Sequence, residues 1–472
     1  MKLHDFIQHT REKPGLTPSF KFLLWPEDGY HINEKQEAAE KLCPLRVLWA
    51  ILIVPAVFIF SACSDTVNQQ SREAVSISAV DSLVDRAVAQ EHIPGAVVRV
   101  QQGDSILHHK AYGYAQLYTF ELERLEQPDT MTTGHLFDLA SLTKVSATTF
   151  GIMLLADSER IQLDSPVHRW LPEFARGDKK KITVRHLLRH TAGLPQWVPT
   201  YYYASNAEEQ YDYIASLPLK YEVGAERHYS DLGFMLLGEI TRRVSGQPLD
   251  QFLEQELYRP LDLKHTGFNP LESGISREKI AATSHGNPFE KQMVYDDDFG
   301  YSVDVEPESW NGWRLYTLRG EVNDGNAWYG AGGVAGHAGL FSTAAELQSL
   351  VHLLLRKGKY QGRQLISEAA INTFLTIDQF GNGLGWAMDP AVFSAEGVPK
   401  GSFGHTGFTG TSILAIPEYD LSVILFTNRQ HAGRRENGYY IDLGPLRQQI
   451  ATAVLKKIGH QSPSRSLQGN PG

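Results

Sequence analysis

The sequence predicts an α+β fold, in which an antiparallel sheet is flanked by helices and joined to a helical region. Strand-like stretches lie near both ends of the chain: residues 96–100 and 106–114 form a hairpin around a Gln-Gly-Asp turn, and residues 412–416 and 421–427 form a second pair. Helical periodicity dominates much of the chain between them. We therefore expect the N- and C-terminal segments to close one sheet, with the intervening helices packed beside it.

The composition argues against several classes of function. The 472 residues carry a net charge of −10, from 44 basic and 54 acidic residues, and nucleic-acid binding needs a basic field. The chain has no Walker-type loop, no His-Glu-x-x-His motif and no Gly-x-Ser-x-Gly elbow. Both cysteines, Cys43 and Cys63, precede the main body of the protein. His186 and His190 have the spacing of zinc ligands, but the sequence offers no obvious third ligand. We therefore expect no nucleic-acid partner, no metal and no cofactor.

The N-terminal region predicts export from the cytoplasm. Residues 45–63 follow Lys41, are mostly apolar and end in Ser-Ala-Cys, which is typical of a secretory signal peptide and resembles a bacterial lipobox. The resemblance implies cleavage before Cys63, lipidation of that cysteine and attachment to a membrane, with an uncleaved anchor helix as the alternative. We therefore expect a membrane-anchored lipoprotein of the periplasm or cell envelope. Residues 1–44 either precede the true translation start or form the cytoplasmic tail of an anchor.

The rest of the chain predicts one large domain with a short segment on each side. Residues 64–73 form a polar tether, residues 74–460 the domain, and residues 461–472 a flexible tail. Residues 271–326 are irregular and partly acidic, which predicts an inserted lobe or lid, because loops of this length are usually functional or mobile. Residues 332–339 form a glycine-rich turn. Helices are predicted over residues 74–90, 231–245, 249–257, 343–355 and 445–458.

The segment Asp138–Lys144 carries the first chemical signal. Ser141 and Lys144 lie three residues apart at the start of a predicted helix, so their side chains share one helical face. A serine is a poor nucleophile until a base removes its proton, and a lysine can be that base only if its pKa is lowered. The helix N-terminus adds N–H groups suited to a developing oxyanion. The spacing alone is not specific, since Ser276 and Lys279 repeat it in a polar, turn-like stretch.

Two further motifs are candidates for the same site. Tyr229-Ser230-Asp231 directly precedes a helix, and His405-Thr406-Gly407-Phe408 enters a strand, whose edge offers N–H groups at fixed geometry for an oxyanion hole. Similar patterns recur at Tyr295, Tyr440 and His265. Taken singly, Tyr229 would pack in the core and His405 would be a structural histidine. The occurrence of all three motifs in one chain, more than any one of them, favours the functional interpretation.

With these motifs in this order, the chain resembles the serine β-lactamase and penicillin-binding protein superfamily. Within it, the sequence is most similar to class C β-lactamase-like hydrolases, and among these to the subgroup called periplasmic esterases or penicillin-binding protein 4B. The resemblance implies a β-lactamase/transpeptidase-like fold. It covers roughly residues 75–458 and rests on segments 138–144, 190–194, 229–233, 258–261, 333–341 and 404–410.

The resemblance also implies a role for each catalytic residue. Ser141 would be the acylated nucleophile, and Lys144 would take its proton. Tyr229 would carry that proton to the leaving group. The backbone N–H groups of Ser141 and Phe408 would form the oxyanion hole.

Other positions would bind substrate or support the catalytic residues. His405 stands where many relatives have a lysine; beside Thr406 and Gly407 it would hold a substrate carboxylate or polarise Tyr229. Asp231 stands where asparagine is commoner, and it would orient Lys144 or disfavour some substrate side chains. Asn323 replaces a histidine of the subgroup's His-Asp-x-Asn-Ala segment. For Asp231, His337 and His190 a structural role is at least as well supported as a functional one, because turns and helix ends favour such residues.

Together these features predict a two-step acyl transfer. Ser141 attacks an ester, amide or lactam carbonyl, and water hydrolyses the resulting acyl-enzyme. The envelope location favours a small-molecule or peptidoglycan-peptide substrate, and first a D-alanyl-D-alanine carboxypeptidase. An esterase is the second interpretation and a dedicated β-lactamase the third, because a fold does not fix a substrate. A catalytically silent envelope-binding protein is the alternative outside the enzymes.

Overall fold

The computed structural model describes residues 77–388, 395 and 397–459, all of which belong to one compact unit. The predicted signal segment, its flanks, Cys63 and the tail from residue 461 lie outside the described residues, so those predictions stay predictions. Within the described ranges, none of the helices combines the length and the apolar character needed to cross a bilayer.

A six-stranded antiparallel sheet joins the two ends of the domain. Its strand order is β3 (Arg124–Thr130), β2 (Ser105–Tyr118), β1 (Gly95–Gln102), β11 (Leu421–Thr427), β10 (Ser412–Ile416) and β9 (Phe403–Thr406). Strand β1 pairs with β11 so that Val97 lies opposite Phe426. This arrangement confirms the α+β prediction. The remaining strands are β4 (Phe137–Asp138), β5 (Gly267–Phe268), β6 (Leu340–Ser342), β7 (Lys359–Tyr360) and β8 (Arg363–Gln364).

Helices cover both faces of the large sheet. The helices are α1 (Ser78–Ala89), α2 (Thr149–Asp157), α3 (Val184–Leu188), α4 (Ala207–Ser216), α5 (Asp231–Ser245), α6 (Leu249–Leu253), α7 (Pro288–Tyr295), α8 (Ala344–Leu355), α9 (Glu368–Phe374) and α10 (Gly444–Gly459). Successive residues of a strand point to opposite faces. Val98 therefore joins α1 and α10 in one apolar cluster, while Val97 joins the main core built around α2, α5 and α8.

Two elements of the sheet differ from the sequence prediction. Strand β2 continues to Tyr118, beyond its predicted end at residue 114, and the unpredicted strand β3 follows it. Strand β3 is polar and contains Pro128, which an edge strand tolerates because proline cannot donate to a neighbour. The His405 motif does not enter a strand: His405 and Thr406 end the four-residue strand β9, and a turn then leads to β10.

The segment 271–326 packs closely against its surroundings. The ring centroid of Trp310 lies 4.7 Å from that of Tyr201 and 4.6 Å from that of Tyr329. The buried guanidinium of Arg314 donates hydrogen bonds to Asn287 Oδ1 and to the carbonyl oxygens of residues 322 and 323. Movement of this segment as a lid stays a prediction.

Candidate active site

Ser141 is placed by the small sheet formed by β4, β6 and β5. Strand β4 pairs with β6, and the N–H of Leu139 donates to Leu340 O. Ala140 then adopts a left-handed backbone with φ of +45°, and its N–H donates to Asp138 Oδ1 at 2.8 Å. This turn brings Ser141 to the residue before a helical stretch that begins at Leu142 and includes a π turn over residues 144–148.

Lys144 is fully buried and contacts three oxygen atoms. Its Nζ donates to Ser141 Oγ at 3.1 Å and to the backbone oxygen of His337 at 3.1 Å. The same nitrogen lies 2.7 Å from Asp231 Oδ1 in an ion pair. The structure therefore brings Ser141, Lys144 and Asp231 together.

The ion pair changes the expected protonation of the lysine. Burial alone would lower the pKa of Lys144, but the Asp231 carboxylate, followed by Tyr229, outweighs it and holds the pKa above its ordinary value. A lysine base needs a lowered pKa, and Lys144 does not meet that expectation from the sequence. The pKa of Lys144 is raised because residue 231 is an aspartate; an asparagine at this position would carry no charge to stabilise the ammonium.

Tyr229 lies against this pair. Its ring centroid is 4.9 Å from Lys144 Nζ and 4.6 Å from the centroid of the His190 ring. Burial raises the pKa of Tyr229, and the opposing effects of Lys144 and Ser141 do not cancel the increase, so the residue is a neutral phenol at neutral pH.

The segment around Tyr229 is held by its neighbours on both sides. The backbone N–H of Ser230 donates to His190 Nδ1 at 3.0 Å, and Ser230 Oγ caps α5 by accepting from the N–H of Gly233. Asp231 N donates to Gln196 O, which places the aspartate in the first turn of α5. Local capping therefore fixes the position of the carboxylate that contacts Lys144.

The two histidines with zinc-like spacing have structural contacts. His190 accepts from Ser230, and burial lowers its pKa well below the ordinary value. His186 forms a capping box with Thr183 at the start of α3. Across the residues that the structure describes, no group of three or more histidine, cysteine, aspartate or glutamate side chains is arranged to hold a metal.

The turn after β9 is locked against the strand that leads to Ser141. Thr409 Oγ1 donates to Asp138 O at 2.7 Å, and Thr411 Oγ1 donates to Leu139 O at 3.1 Å. A Cβ at Gly407 would lie 2.4 Å from Leu139 O, so only glycine allows this approach. The contact joins the segments that carry Ser141 and Phe408, and their joint oxyanion hole stays a prediction.

His405 is neutral in this environment. Its Nδ1 lies 2.8 Å from Thr406 O, and because a carbonyl oxygen can only accept, Nδ1 carries the proton. Burial, followed by the charge of Lys144, lowers the pKa of His405 to about 3. Its Nε2 is therefore an acceptor, which gives no support to the expectation that His405 holds a carboxylate. The other expected role, polarising Tyr229, remains open, since the two ring centroids are 5.9 Å apart.

Asp138 is a site residue whose role sequence reasoning missed. Its Oδ2 accepts from the N–H of Asn323 at 2.6 Å, while its Oδ1 accepts from Ala140. Burial raises the pKa of Asp138 to about 6, despite these hydrogen bonds. Residue 323 makes this hydrogen bond to Asp138 through its backbone N–H, so an asparagine can stand in place of the subgroup's histidine without losing it. The only signal in the sequence was the place of Asp138 at the head of the serine motif.

A second pair lies behind Lys144. Asp324 Oδ1 and His337 Nε2 are 2.8 Å apart, and His337 also supplies the backbone oxygen that Lys144 contacts. Burial would raise the pKa of Asp324, but His337 lowers it below its ordinary value. The glycine-rich turn permits this packing: a Cβ at Gly336 would lie 2.0 Å from Phe234 O in α5.

A serine in contact with a buried lysine–aspartate pair, beside a tyrosine and a strand-edge turn, defines the class of serine hydrolases with the β-lactamase/transpeptidase fold. Residues 80–445 match the family model described as Beta-lactamase. The chain therefore belongs to the β-lactamase family, which confirms the resemblance found in the sequence motifs.

The proteins that this chain resembles are named for several different activities. The chain is 36% identical over 375 residues to the "N-acetylmuramyl-L-alanine amidase" of Bacillus subtilis, covering 75% of this chain and 80% of that protein. It is 32% identical over 372 residues to the "Putative D-alanyl-D-alanine carboxypeptidase" of Escherichia coli, covering 74% and 82%. Among solved structures, "EstCE1, a hydrolase with promiscuous acyltransferase activity" superposes with a TM-score of 0.59 at 22% identity, covering 80% of this chain and 98% of that one, and this likeness concerns the fold alone.

Proposed function

We propose that this protein hydrolyses amide bonds in peptidoglycan-derived substrates through an acyl-enzyme on Ser141. The single observation that carries the proposal is the contact of Lys144 Nζ with both Ser141 Oγ and Asp231 Oδ1. Ser141 Oγ attacks the carbonyl carbon, and the N–H groups of Ser141 and Phe408 stabilise the oxyanion. Water then attacks the ester carbonyl, and Ser141 leaves with its proton restored.

The proton of Ser141 has a defined route in this proposal. Lys144 is protonated in the resting enzyme, so it accepts the serine proton only as it gives one to Asp231 at 2.7 Å. The outcome is a protonated Asp231, an unchanged ammonium and a serine oxygen bonded to the substrate. Tyr229, a neutral phenol beside Lys144, then donates to the leaving nitrogen and is reprotonated from the Lys144–Asp231 pair. The proposed path differs from a simple lysine base because the aspartate holds the proton.

The first substrate candidate is a peptide ending in D-alanyl-D-alanine. The name of the Escherichia coli relative supports it, and so does the expected envelope location. The second candidate is the amide between N-acetylmuramic acid and L-alanine. The name of the Bacillus subtilis relative supports that alternative, and the neutral His405 favours it, because this bond lies within its substrate and no terminal carboxylate need be held beside His405. An esterase and a β-lactamase are further interpretations of the same chemistry.

Product analysis separates the two amide candidates. We would incubate the enzyme with a muramyl pentapeptide that ends in D-alanyl-D-alanine, with Ser141→Ala as control. Release of D-alanine supports the carboxypeptidase, and release of the intact peptide supports the amidase. No cleavage by the wild type, together with turnover of activated esters, would contradict both and favour an esterase.

The expected location is a separate proposal. We propose that lipidation of Cys63 anchors the enzyme to a membrane, on the evidence of the lipobox-like sequence alone. Cys63→Ser should release the protein into the soluble fraction. Continued membrane retention would favour an anchor helix.

A further inference from the structure

The carbonyl oxygen of Phe408 is held by two buried side chains. Arg429 Nε and Nη2 donate to this oxygen at 3.2 and 2.8 Å, and Gln430 Nε2 donates to it at 3.1 Å. Both side chains are almost completely buried, with exposed fractions of 2% for Arg429 and 0% for Gln430. A carbonyl oxygen has two lone pairs, so these three N–H groups take up its whole capacity as an acceptor. The direction of the Phe408 carbonyl is therefore fixed.

The register of the large sheet brings these two side chains to the turn after β9. Strand β11 pairs with β10 so that Leu425 lies opposite Ser412, and the end of β11 therefore lies beside the turn that precedes β10. Thr427 Oγ1, in the last residue of β11, donates to Gly410 O at 3.0 Å. A 3₁₀ turn over Arg429–Ala432 follows β11, and its first two residues supply the donors to Phe408 O.

The peptide on the other side of Phe408 is fixed as well. Gly407 O accepts from the N–H of Gly410 at 3.0 Å, and Gly407 N donates to Thr411 O at 2.8 Å. In a planar trans peptide the C=O and N–H groups point in opposite directions, so the Phe408 N–H points away from the interior of this turn. Among the described residues, neither this N–H nor the N–H of Ser141 donates to a protein atom. Both donors are therefore available to a ligand.

The hydrogen bonds on both peptides restrict the backbone of Phe408. Its φ and ψ angles cannot change without breaking a bond to Gly407 O or to Phe408 O. Donors that are already oriented stabilise a developing oxyanion without reorganisation as the charge forms. We propose that Arg429 and Gln430 are positioning residues, which hold Phe408 O and so keep the Phe408 N–H aimed at the oxyanion of the tetrahedral intermediate. This inference rests on the proposed function and extends it to residues that act through Phe408.

The test compares catalysis with binding in the full chain. Turnover is measured with p-nitrophenyl acetate, and binding with phenylboronic acid, which becomes a tetrahedral anion when a serine oxygen bonds to its boron. Because acylation and deacylation both form an oxyanion, we expect Arg429→Gln to lower kcat by roughly 10- to 100-fold and to change KM by less than about twofold. Binding of phenylboronic acid should weaken by a factor similar to the loss in kcat. Arg429→Lys should recover part of both losses, because it keeps the charge but not the rigid pair of donors.

Arg319→Gln is the matched control for the loss of a buried arginine. Arg319 is also buried, and its Nε donates to Ile280 O at 2.7 Å, so it holds a backbone oxygen outside this turn. This variant should lose thermal stability, as Arg429→Gln should, while its kcat and its binding of phenylboronic acid stay unchanged. Equal losses of kcat in the two variants would overturn the proposal, and so would unchanged kcat and unchanged phenylboronic acid binding in Arg429→Gln.

Gln430→Met decides the question if Arg429→Gln does not fold, because it removes one donor to Phe408 O and keeps most of the side-chain shape. A loss of kcat and of phenylboronic acid binding, smaller than that expected for Arg429→Gln, supports the proposal, and no loss of either overturns it. Failure of the proposed function would appear separately, as a wild type that turns over the ester but cleaves no muramyl amide.

Discussion

Replacing Asp231 by asparagine tests how the protonation of Lys144 is controlled. The change keeps the shape of the side chain and removes the charge that lies 2.7 Å from Lys144 Nζ. Removing one partner of a buried ion pair typically costs about 3–5 kcal/mol, because the remaining charge is left without compensation. Since Lys144 is fully buried, we expect Asp231→Asn to lower the free energy of unfolding by about this amount at neutral pH.

The pH dependence gives the prediction a sign. In the wild type the folded-state pKa of Lys144 is raised, so its contribution to stability is present at neutral pH and is lost only as pH rises through that pKa. In Asp231→Asn we expect burial to dominate and the pKa to fall below that of the unfolded chain. The loss of stability should therefore be largest around neutral pH and should shrink as pH approaches the ordinary lysine value of about 10.4.

Two measurements check this reasoning. Urea unfolding of both proteins as a function of pH gives the stability difference. The pH profile of kcat/KM gives the protonation of the base: Asp231→Asn should show a rate that rises with pH as Lys144 loses its proton, a feature absent from the wild type across the neutral range.

Asp164→Asn is the control for the same chemical change. Asp164 pairs with Arg185 at 2.6 Å, but its side chain is 74% exposed, so we expect a loss of no more than about 1 kcal/mol. A loss in Asp231→Asn as small as in this control, with an unchanged pH profile, would refute the conclusion that Asp231 keeps Lys144 charged.

Three further predictions concern residues around the site. Asp138→Asn removes a carboxyl group whose pKa burial raises to about 6. Because the unfolded chain releases this proton near pH 4, the stability of the wild type relative to the variant should fall as pH rises from about 4 to about 6, measured by urea unfolding. Gly336→Ala should lower the free energy of unfolding by about 1–3 kcal/mol through contact with Phe234 O, and a change within about 0.5 kcal/mol would contradict the close packing. His190→Phe should lower kcat with little change in the fold measured by circular dichroism, because the N–H of Ser230 loses its acceptor; unchanged kcat would contradict a positioning role.

The strong periodic elements could be predicted from sequence alone. Helix α5 begins and ends at the predicted residues, because Ser230 caps its start and Gly246 adopts the left-handed conformation after its end. Strands β10 and β11 also match, since they are short apolar runs bounded by turn residues. Local sequence determines both kinds of element.

Elements that depend on tertiary context could not be predicted. Strand β3 is polar and contains a proline, so only its pairing with β2 defines it. The four residues of β9 are too few for a pattern, and their register is set by β10. The helix before residue 258 ends in a π turn over residues 254–258, which periodicity does not reveal.

The same limit applies to the candidate site. The sequence motifs identified Ser141, Lys144, Tyr229 and Asp231 as candidates for one site, but they could not reveal the charge states of these residues. The raised pKa of Lys144 and the neutral state of His405 depend on distances between segments far apart in the chain. Asp138 was missed as a positioning group because its partner Asn323 lies 185 residues away.

Whether Ser141 is the nucleophile can be measured by the intact mass of the full chain after reaction with a fluorophosphonate, a probe that labels activated serines. We expect one adduct on the wild type and on Ser276→Ala, which changes the serine of the repeated spacing, and no adduct on Ser141→Ala. An adduct that persists on Ser141→Ala, or one that disappears from Ser276→Ala, would contradict the assignment of Ser141 as the nucleophile.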